Sequence, residues 1–289
     1  MQKRGPWYFN LMMGGIQRLP LSLALGLGSF LGFLTYHLWR QRTTIALDNL
    51  HRVWVGERSG VELRQIVRKM YQNLGQGLVE FLRLPLLTPG NLRDRVSIEG
   101  MKHLEAARVQ GRGVFLLAAH FGNWEMLSAV IALSGIPMNV LVKKIRKLPM
   151  DSFINGIRRR SGVNPIDKQN GTEDMLQRLR NNEAVGFVLD QHANATEGVM
   201  VRFFGQEAST HKSLALLARR YKVPIVPVFM IRERPGFHRV VFEPALKLCK
   251  GKNVHDSILD DTQQCMNVLE RFIRTYPDQW IWLHRRWKS

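Results

Sequence analysis

Residues 19–39 read LPLSLALGLGSFLGFLTYHLW, 21 positions without Asp, Glu, Lys or Arg. At 1.5 Å rise per residue a helix of that length spans roughly 31 Å, about the hydrocarbon thickness of a bilayer. The run is longer than the apolar region of a signal peptide. Arg40 and Arg42 follow it, with no small-residue cleavage site. Trp7, Tyr8, Tyr36 and Trp39 suit the membrane–water interface. Pro20, Gly26, Gly28 and Gly32 interrupt the segment, so a buried or interfacial helical hairpin stands as the alternative to a span. Gly28 and Gly32 have the spacing of a helix-packing motif. The chain therefore divides into an N-terminal membrane-anchoring segment, 1–42, and a single domain, 43–289. Basic residues lie on both sides of the segment, and the large basic remainder favours the cytoplasmic side for everything after Trp39.

Charge narrows the partners. Lys and Arg number 42 against 23 Asp and Glu, a formal net charge of +19. That balance suits either nucleic acid or a surface facing anionic lipid and acidic partners. No helix-turn-helix, zinc or RNA-binding signature is present, and a nucleic-acid binder has no need of the uncharged segment. Nucleic acid is thereby set aside. Cys249 and Cys265 lack any Cys-x-x-Cys or Cys/His ligand spacing, which excludes a disulfide framework, gives no metal signature and favours a reducing compartment.

Beyond residue 40 the pattern becomes that of an α/β protein. Apolar positions Leu63, Ile66, Val67, Met70, Leu74 and Leu78 recur at three- and four-residue spacing, so 43–83 reads as helices. Strands are predicted at 114–119, 139–142, 184–189, 225–231 and 239–242. Helices are predicted at 124–133, 150–160, 172–181, 213–221 and 257–275. Such alternation predicts a mixed, largely parallel sheet flanked by helices, with the N-terminal hydrophobic membrane helix appended.

Chemistry concentrates where the first of these strands ends, in His120-Phe-Gly-Asn123-Trp-Glu125. A histidine just past the C-terminal end of a strand stands where α/β sheets place reactive groups. On one straight helix His120 and Glu125 would point about 140° apart, so they meet only if His120 lies in the turn and Glu125 in the first helical turn. Gly122 permits that bend. A carboxylate on one ring nitrogen fixes the tautomer and leaves the other free to take a proton. No serine or cysteine stands beside the histidine, so the pair reads as a general base for an acceptor hydroxyl brought from outside. The structural alternative is a satisfied turn histidine and an acid favourable to the helix dipole. No Gly-x-Ser-x-Gly elbow lies outside the hydrophobic segment, which removes a serine hydrolase. A non-catalytic membrane protein must treat His120 and Glu125 as coincidence.

His120-x-x-x-x-Glu125 in this setting resembles the motif of the late (secondary) acyltransferases of lipid A biosynthesis, the lauroyl/myristoyl transferase family, within the lysophospholipid acyltransferase superfamily. The resemblance extends through Arg158-Arg159-Arg160-Ser-Gly162, Leu189-Asp190-Gln191, Val201-Arg202-Phe203-Phe204-Gly205, Thr210 and the ending from Gln279 to Lys288. It implies acyl transfer from acyl carrier protein to a hydroxyl of a lipid A precursor, at the cytoplasmic face of the bacterial inner membrane. His120 would be the base and Glu125 its orienting partner, with Asn123, Arg158, Arg160, Asp190 and Gln191 near the substrates. No cofactor or metal is implied, since the acyl thioester, on carrier protein or coenzyme A, is a co-substrate. The glycerolipid branch carries an aspartate as second acid, a Gly-x-x-Phe-x-x-Arg block and a Glu-Gly-Thr block. Here the acid is Glu125, that arginine block is absent, and Val199 follows Glu197-Gly198. Another acceptor, such as a mannosylated inositol lipid, stays open, because related enzymes share the histidine–acid box.

From the residues alone, Arg158 or Arg160 suits a developing oxyanion or a phosphate, against the alternative of a solvated helix face. Thr210 reads as the N-cap of the helix from His211, and Trp280, Trp282 and Trp287 as packing or interface anchors. Lys143, Lys144, Arg146 and Lys147, the run 158–160, and Arg219, Arg220 and Lys222 form basic clusters suited to carrier protein, anionic membrane lipid and a phosphorylated glycolipid.

Overall fold

The computed structural model describes residues 7–145 and 148–288. Three helices open the chain: α1 (Trp7–Arg18), α2 (Leu21–Leu38) and α3 (Arg40–Val53). Helix α4 (Gly60–Arg83) follows, started by a reciprocal capping box between Ser59 and Glu62. The expected division at residue 42 falls inside α3. Helix α2 is the one described helix long and apolar enough to cross a membrane, and about a fifth of that window is buried within the protein. That buried side lies on α4. A Cβ at Gly28 or Gly32 would meet backbone of α4, and one at Gly75 would collide with the Gly28 carbonyl. Glycine at this seam lets two backbones touch. Gly75→Val is expected to separate α2 from α4, seen as faster protease cleavage between residues 38 and 60. An unchanged digestion pattern would show the seam to be dispensable.

The connection 84–86 is a single 3₁₀ turn, and α5 (Pro89–Leu92) leads into β1 (Val96–Glu99) and α6 (Met101–Arg108). The central run is β2 (Val114–Ala118), α7 (Trp124–Leu133), β3 (Met138–Val142), α8 (Leu148–Arg160), β4 (Val163–Asp167), α9 (Thr172–Arg180) and β5 (Ala184–Val188). A hairpin of β6 (Gly198–Phe203) and β7 (Gln206–His211) precedes α10 (Ser213–Tyr221), β8 (Ile225–Arg234), β9 (Phe237–Phe242) and α11 (Val254–Thr275). The seven-stranded sheet has the order β1-β9-β8-β2-β5-β3-β4, and only β8 and β9 are antiparallel. The mixed, largely parallel sheet flanked by helices is as the sequence predicted.

Two cores cover the sheet. One gathers Phe115, Leu117 and Val185 with α9, α10, α11 and the first half of α4. The other gathers Leu116, Ala118 and Val226 with α6, α7 and α8, and takes Phe81 and Leu82 from the far end of α4. Every position of β2 is buried, as a central parallel strand requires. Strand β5 pairs with β3 only from Met138/Ala184 to Val140/Gly186, and beyond that the two strands part. A crevice opens there, at the C-terminal edge of the sheet.

Two local expectations are corrected. Thr210 lies within β7, next to its last residue, and Lys212 occupies the N-cap of α10. The Thr210 hydroxyl donates to the Ala208 carbonyl and accepts from Arg286. In the third basic cluster, Arg219 is bound to the buried Asp261 at 2.5 Å, so one of its members is structural. Lys143 and Lys144 are exposed, while Arg146 and Lys147 lie outside the described residues.

Candidate active site

Strand β2 delivers Ala119 and His120 to the edge of the sheet, where the chain turns through Phe121 and Gly122. Gly122 has φ +56°, and a Cβ there would strike the Met230 carbonyl, so glycine is required twice over. The turn is pinned from its flank by a distant segment. Gly122 N donates to Gln279 O at 2.7 Å and Ile281 N to His120 O at 3.1 Å. Asn123 then caps α7, its Oδ1 accepting from Met126 N at 3.0 Å, and its Nδ2 donates to Glu80 Oε2 at 2.8 Å.

His120 meets a carboxylate, and that carboxylate is Asp190. The register explains the meeting. Ala118 pairs with Val188 across β2 and β5, and His120 and Asp190 each stand two residues further on. Asp190 is fully buried. Its Oδ1 accepts from His120 Nδ1 at 2.9 Å, and its Oδ2 from His120 N at 3.0 Å and Trp280 Nε1 at 2.6 Å. Burial opposes the charge on Asp190, but the imidazole and these donors outweigh it and hold the carboxyl well below the usual range. Burial likewise opposes the imidazolium. The Asp190 charge and hydrogen bond, with Glu125 adding, prevail and raise the His120 pKa above its ordinary value. With Nδ1–H donating to the Asp190 carboxylate, Nε2 of a neutral ring carries the free lone pair, and His120 lines a cavity.

Glu125 is engaged elsewhere. Arg158 grips it with both arms of its fork, Nε to Oε2 at 2.9 Å and an Nη to Oε1, and donates to Asn155 Oδ1 at 2.8 Å. The expectation that Glu125 orients His120 is therefore corrected. Glu125 acts on the ring through its charge and holds Arg158. Asp190, expected near substrate, has both oxygens committed to protein donors. Asn123 is buried and spends its side chain on the cap and on Glu80. Gln191 lines the cavity, with Nε2 3.2 Å from His284 Nε2. Arg160 is not brought to His120; it points to Met13 Sδ on α1 at 3.6 Å.

Trp280, Trp282 and Trp287 read from the sequence as packing or interface anchors, and Trp280 and Trp282 are fully buried. What that reading missed is the contact with the site. Trp280 donates to Asp190, and the His284 ring lies 5.6 Å from that of His120. Asn49 on α3 holds the segment by donating to the Trp282 and His284 carbonyls at 2.8 and 2.7 Å. Trp280→Phe should leave the fold and lower kcat about tenfold by removing one of the two donors to Asp190 Oδ2. A wild-type kcat would show that this donor is not needed.

His120, Trp124, Glu125, Arg158 and Gln191 line a cavity of about 580 Å³. One arm runs beneath α7 against the sheet, walled by Leu116, Leu127, Ile131, Met138 and Val228. The other follows the crevice between β3 and β5 toward Lys143, Lys168 and His211. Among the described residues no cluster of His, Cys, Asp and Glu is suited to a metal ion.

A histidine held by a buried carboxylate at the sheet edge, beside an apolar arm, is an arrangement suited to activating a hydroxyl or water next to a hydrophobic group. Comparison with known proteins makes this specific. The family model described as bacterial lipid A biosynthesis acyltransferase matches residues 1–289, and the chain belongs to that family. It is 27% identical to the lipid A biosynthesis lauroyltransferase of Escherichia coli over 95% of this chain and 88% of that protein. It is 23% identical to a lipid A biosynthesis acyltransferase of Haemophilus influenzae, over 96% and 87%. A phosphatidylinositol mannoside acyltransferase of Mycolicibacterium smegmatis is 25% identical over 83% of this chain and 77% of that protein.

Proposed function

We propose that this acyltransferase moves a fatty acyl chain from acyl carrier protein to a hydroxyl of a lipid A precursor, at the cytoplasmic face of the inner membrane. The observation that carries the reading is His120, held through Nδ1 by the buried Asp190, lining a cavity whose wall beneath α7 is apolar. The acyl chain occupies the arm beneath α7, with its thioester at His120. Nε2 takes the proton from the acceptor hydroxyl as its oxygen bonds to the thioester carbon. Positive charge from Arg158 favours the oxyanion that forms. As the intermediate collapses, the carbon–sulfur bond breaks and the departing thiolate takes the proton back from the imidazolium. The exposed Lys143 and Lys144 beside the cavity suit an acidic carrier, and α1 and α2 suit anionic membrane.

Mass spectrometry of lipid A from cells with and without the protein tests this reading. The expected result is one missing secondary acyl chain, and identical lipid A would overturn it. His120→Ala should abolish that acylation and leave membrane attachment intact. The pH dependence follows from the sign of the His120 shift. The base works neutral and its pKa is raised, so kcat/KM should climb with pH through a midpoint above 6.5. A flat profile from pH 5 to 9 would remove His120 from proton transfer.

A further inference from the structure

A second cavity, of about 430 Å³, lies on the opposite side of the Glu125–Arg158 pair. One face of α4, Leu74, Gly77, Leu78, Phe81 and Leu82, forms its floor, at the spacing that puts side chains on one helical stripe. Phe9 and Met12 of α1 close one side, and Phe153 and Ile154 of α8 the other. Its inner end is Trp124, Glu125 and Arg158, which also line the catalytic cavity. Its rim is exposed and apolar: Met12, Leu78 and Met150, continuous along α1 with Trp7, Tyr8 and Leu11. The two cavities thus share one polar partition and differ in approach. The catalytic cavity reaches Lys143 and Lys168, whereas the groove opens on the apolar surface of the N-terminal helices.

We infer that this groove holds a hydrocarbon chain of the acceptor lipid, entering from the bilayer. The inference rests on the acyl-transfer reading above. Three features select this occupant. The polar side chains that line the groove are engaged with other protein groups: Asn123 with Glu80 and the α7 cap, Asn73 Nδ2 with Asp278, and Glu125 and Arg158 with each other. A headgroup therefore gains nothing inside, while a chain gains burial. The rim is continuous with the surface that α1 offers to a membrane, so a lipid arrives without crossing water. The donor chain already has an arm with direct access to His120. A chain in the groove leaves its hydroxyl-bearing end at the partition, where it meets the thioester from the other side. Glu125 and Arg158 then position the acceptor rather than the base.

Gly77 allows a clean test. It lies on the floor, and a Cβ there comes no nearer than 4.0 Å, to Asn123 Nδ2. Gly77→Leu fills the groove and favours the helix. The expected result is an acceptor KM raised at least tenfold for an acylated lipid A precursor in mixed micelles, with the KM for acyl carrier protein thioester within twofold of wild type. An unchanged acceptor KM, or a rise confined to the donor, overturns the inference. A second measurement needs neither turnover nor a variant. A lipid A precursor with a photoactivatable acyl chain should label wild-type peptides containing Phe81 and Phe153. Labelling confined to the arm beneath α7, at Ile131 and Met138, assigns the groove wrongly even where acyl transfer is intact. Loss of transfer by the wild type, with the groove still labelled, counts against the functional reading instead.

Discussion

Asp190→Asn is expected to cut kcat by about 10³–10⁴-fold while both KM values stay within a few-fold. The reason lies in the hydrogen bonds. Asp190 Oδ2 serves two donors, His120 N and Trp280 Nε1, so an asparagine turns its carbonyl to them. Its NH₂ then faces His120 Nδ1, which must become the acceptor. The ring proton moves to Nε2, and the lone pair needed for catalysis is gone. Residual activity should also titrate lower, because the Asp190 charge is what lifts His120. Glu125→Gln removes a charge and loosens Arg158 but leaves the tautomer alone, so a loss of roughly tenfold is expected. Parallel pH–rate profiles of the two variants decide between the carboxylates. A greater loss in Glu125→Gln would return the orienting role to Glu125.

The second large effect is on stability. Glu80 on α4 is buried and receives both arms of Arg232, at 2.6 and 2.7 Å, His238 Nε2 at 2.9 Å and Asn123 Nδ2 at 2.8 Å. Glu80→Ala leaves Arg232 buried without a counter-charge and His238 Nε2 without its hydrogen-bond partner, a loss of about 3–5 kcal/mol. Denaturant midpoints in detergent measure it, and a midpoint within experimental error of wild type would mean that the network adds no net stability. Acid should reproduce the loss. Burial opposes the Glu80 charge, yet His238 and Arg232 bring its pKa down from 4.5 to about 2. The depressed value means that its contribution is present above pH 4.5 and disappears as the pH falls toward 2. Because Asn123 joins this network to the cap of α7, the same acid step should disturb the His120 turn.

Much of this architecture is legible in the residues. The alternation of apolar runs with amphipathic stretches predicts β2, α7, α10 and β5 to within a residue, because burial on both faces leaves uninterrupted apolar strands, whereas β8 extends three residues further and β9 begins two earlier than their apolar runs suggest. Strand β4 escapes notice because Asn164, Pro165 and Asp167 break its apolar run, as does the hairpin β6–β7, whose Arg202 and Glu207 are exposed. His120 stands out as the residue after an apolar strand. Its partner does not, because proximity along the chain favours Glu125, whereas pairing of β2 with β5 is a fact of sheet order. The available signal was that Asp190 also ends an apolar strand, and parallel neighbours bring such residues side by side. Trp280 and His284 carried no comparable cue. Their approach depends on a loop closure of some ninety residues or more, on which periodicity is silent.

That closure has a consequence for biogenesis. Residues 280–287 leave the ribosome after every strand of the sheet has been made, and at about 5–20 residues per second the interval is seconds. During it the apolar α1 and α2 can already reach a bilayer, whereas Asp190 lacks its indole donor and the His120 turn lacks Gln279 and Ile281 along its flank. The nascent protein is thus a lipid-seeking body with an unfinished base. On the proposed function, competence would arrive only when this segment packs against α3 and the sheet, and membrane targeting would precede activity in time.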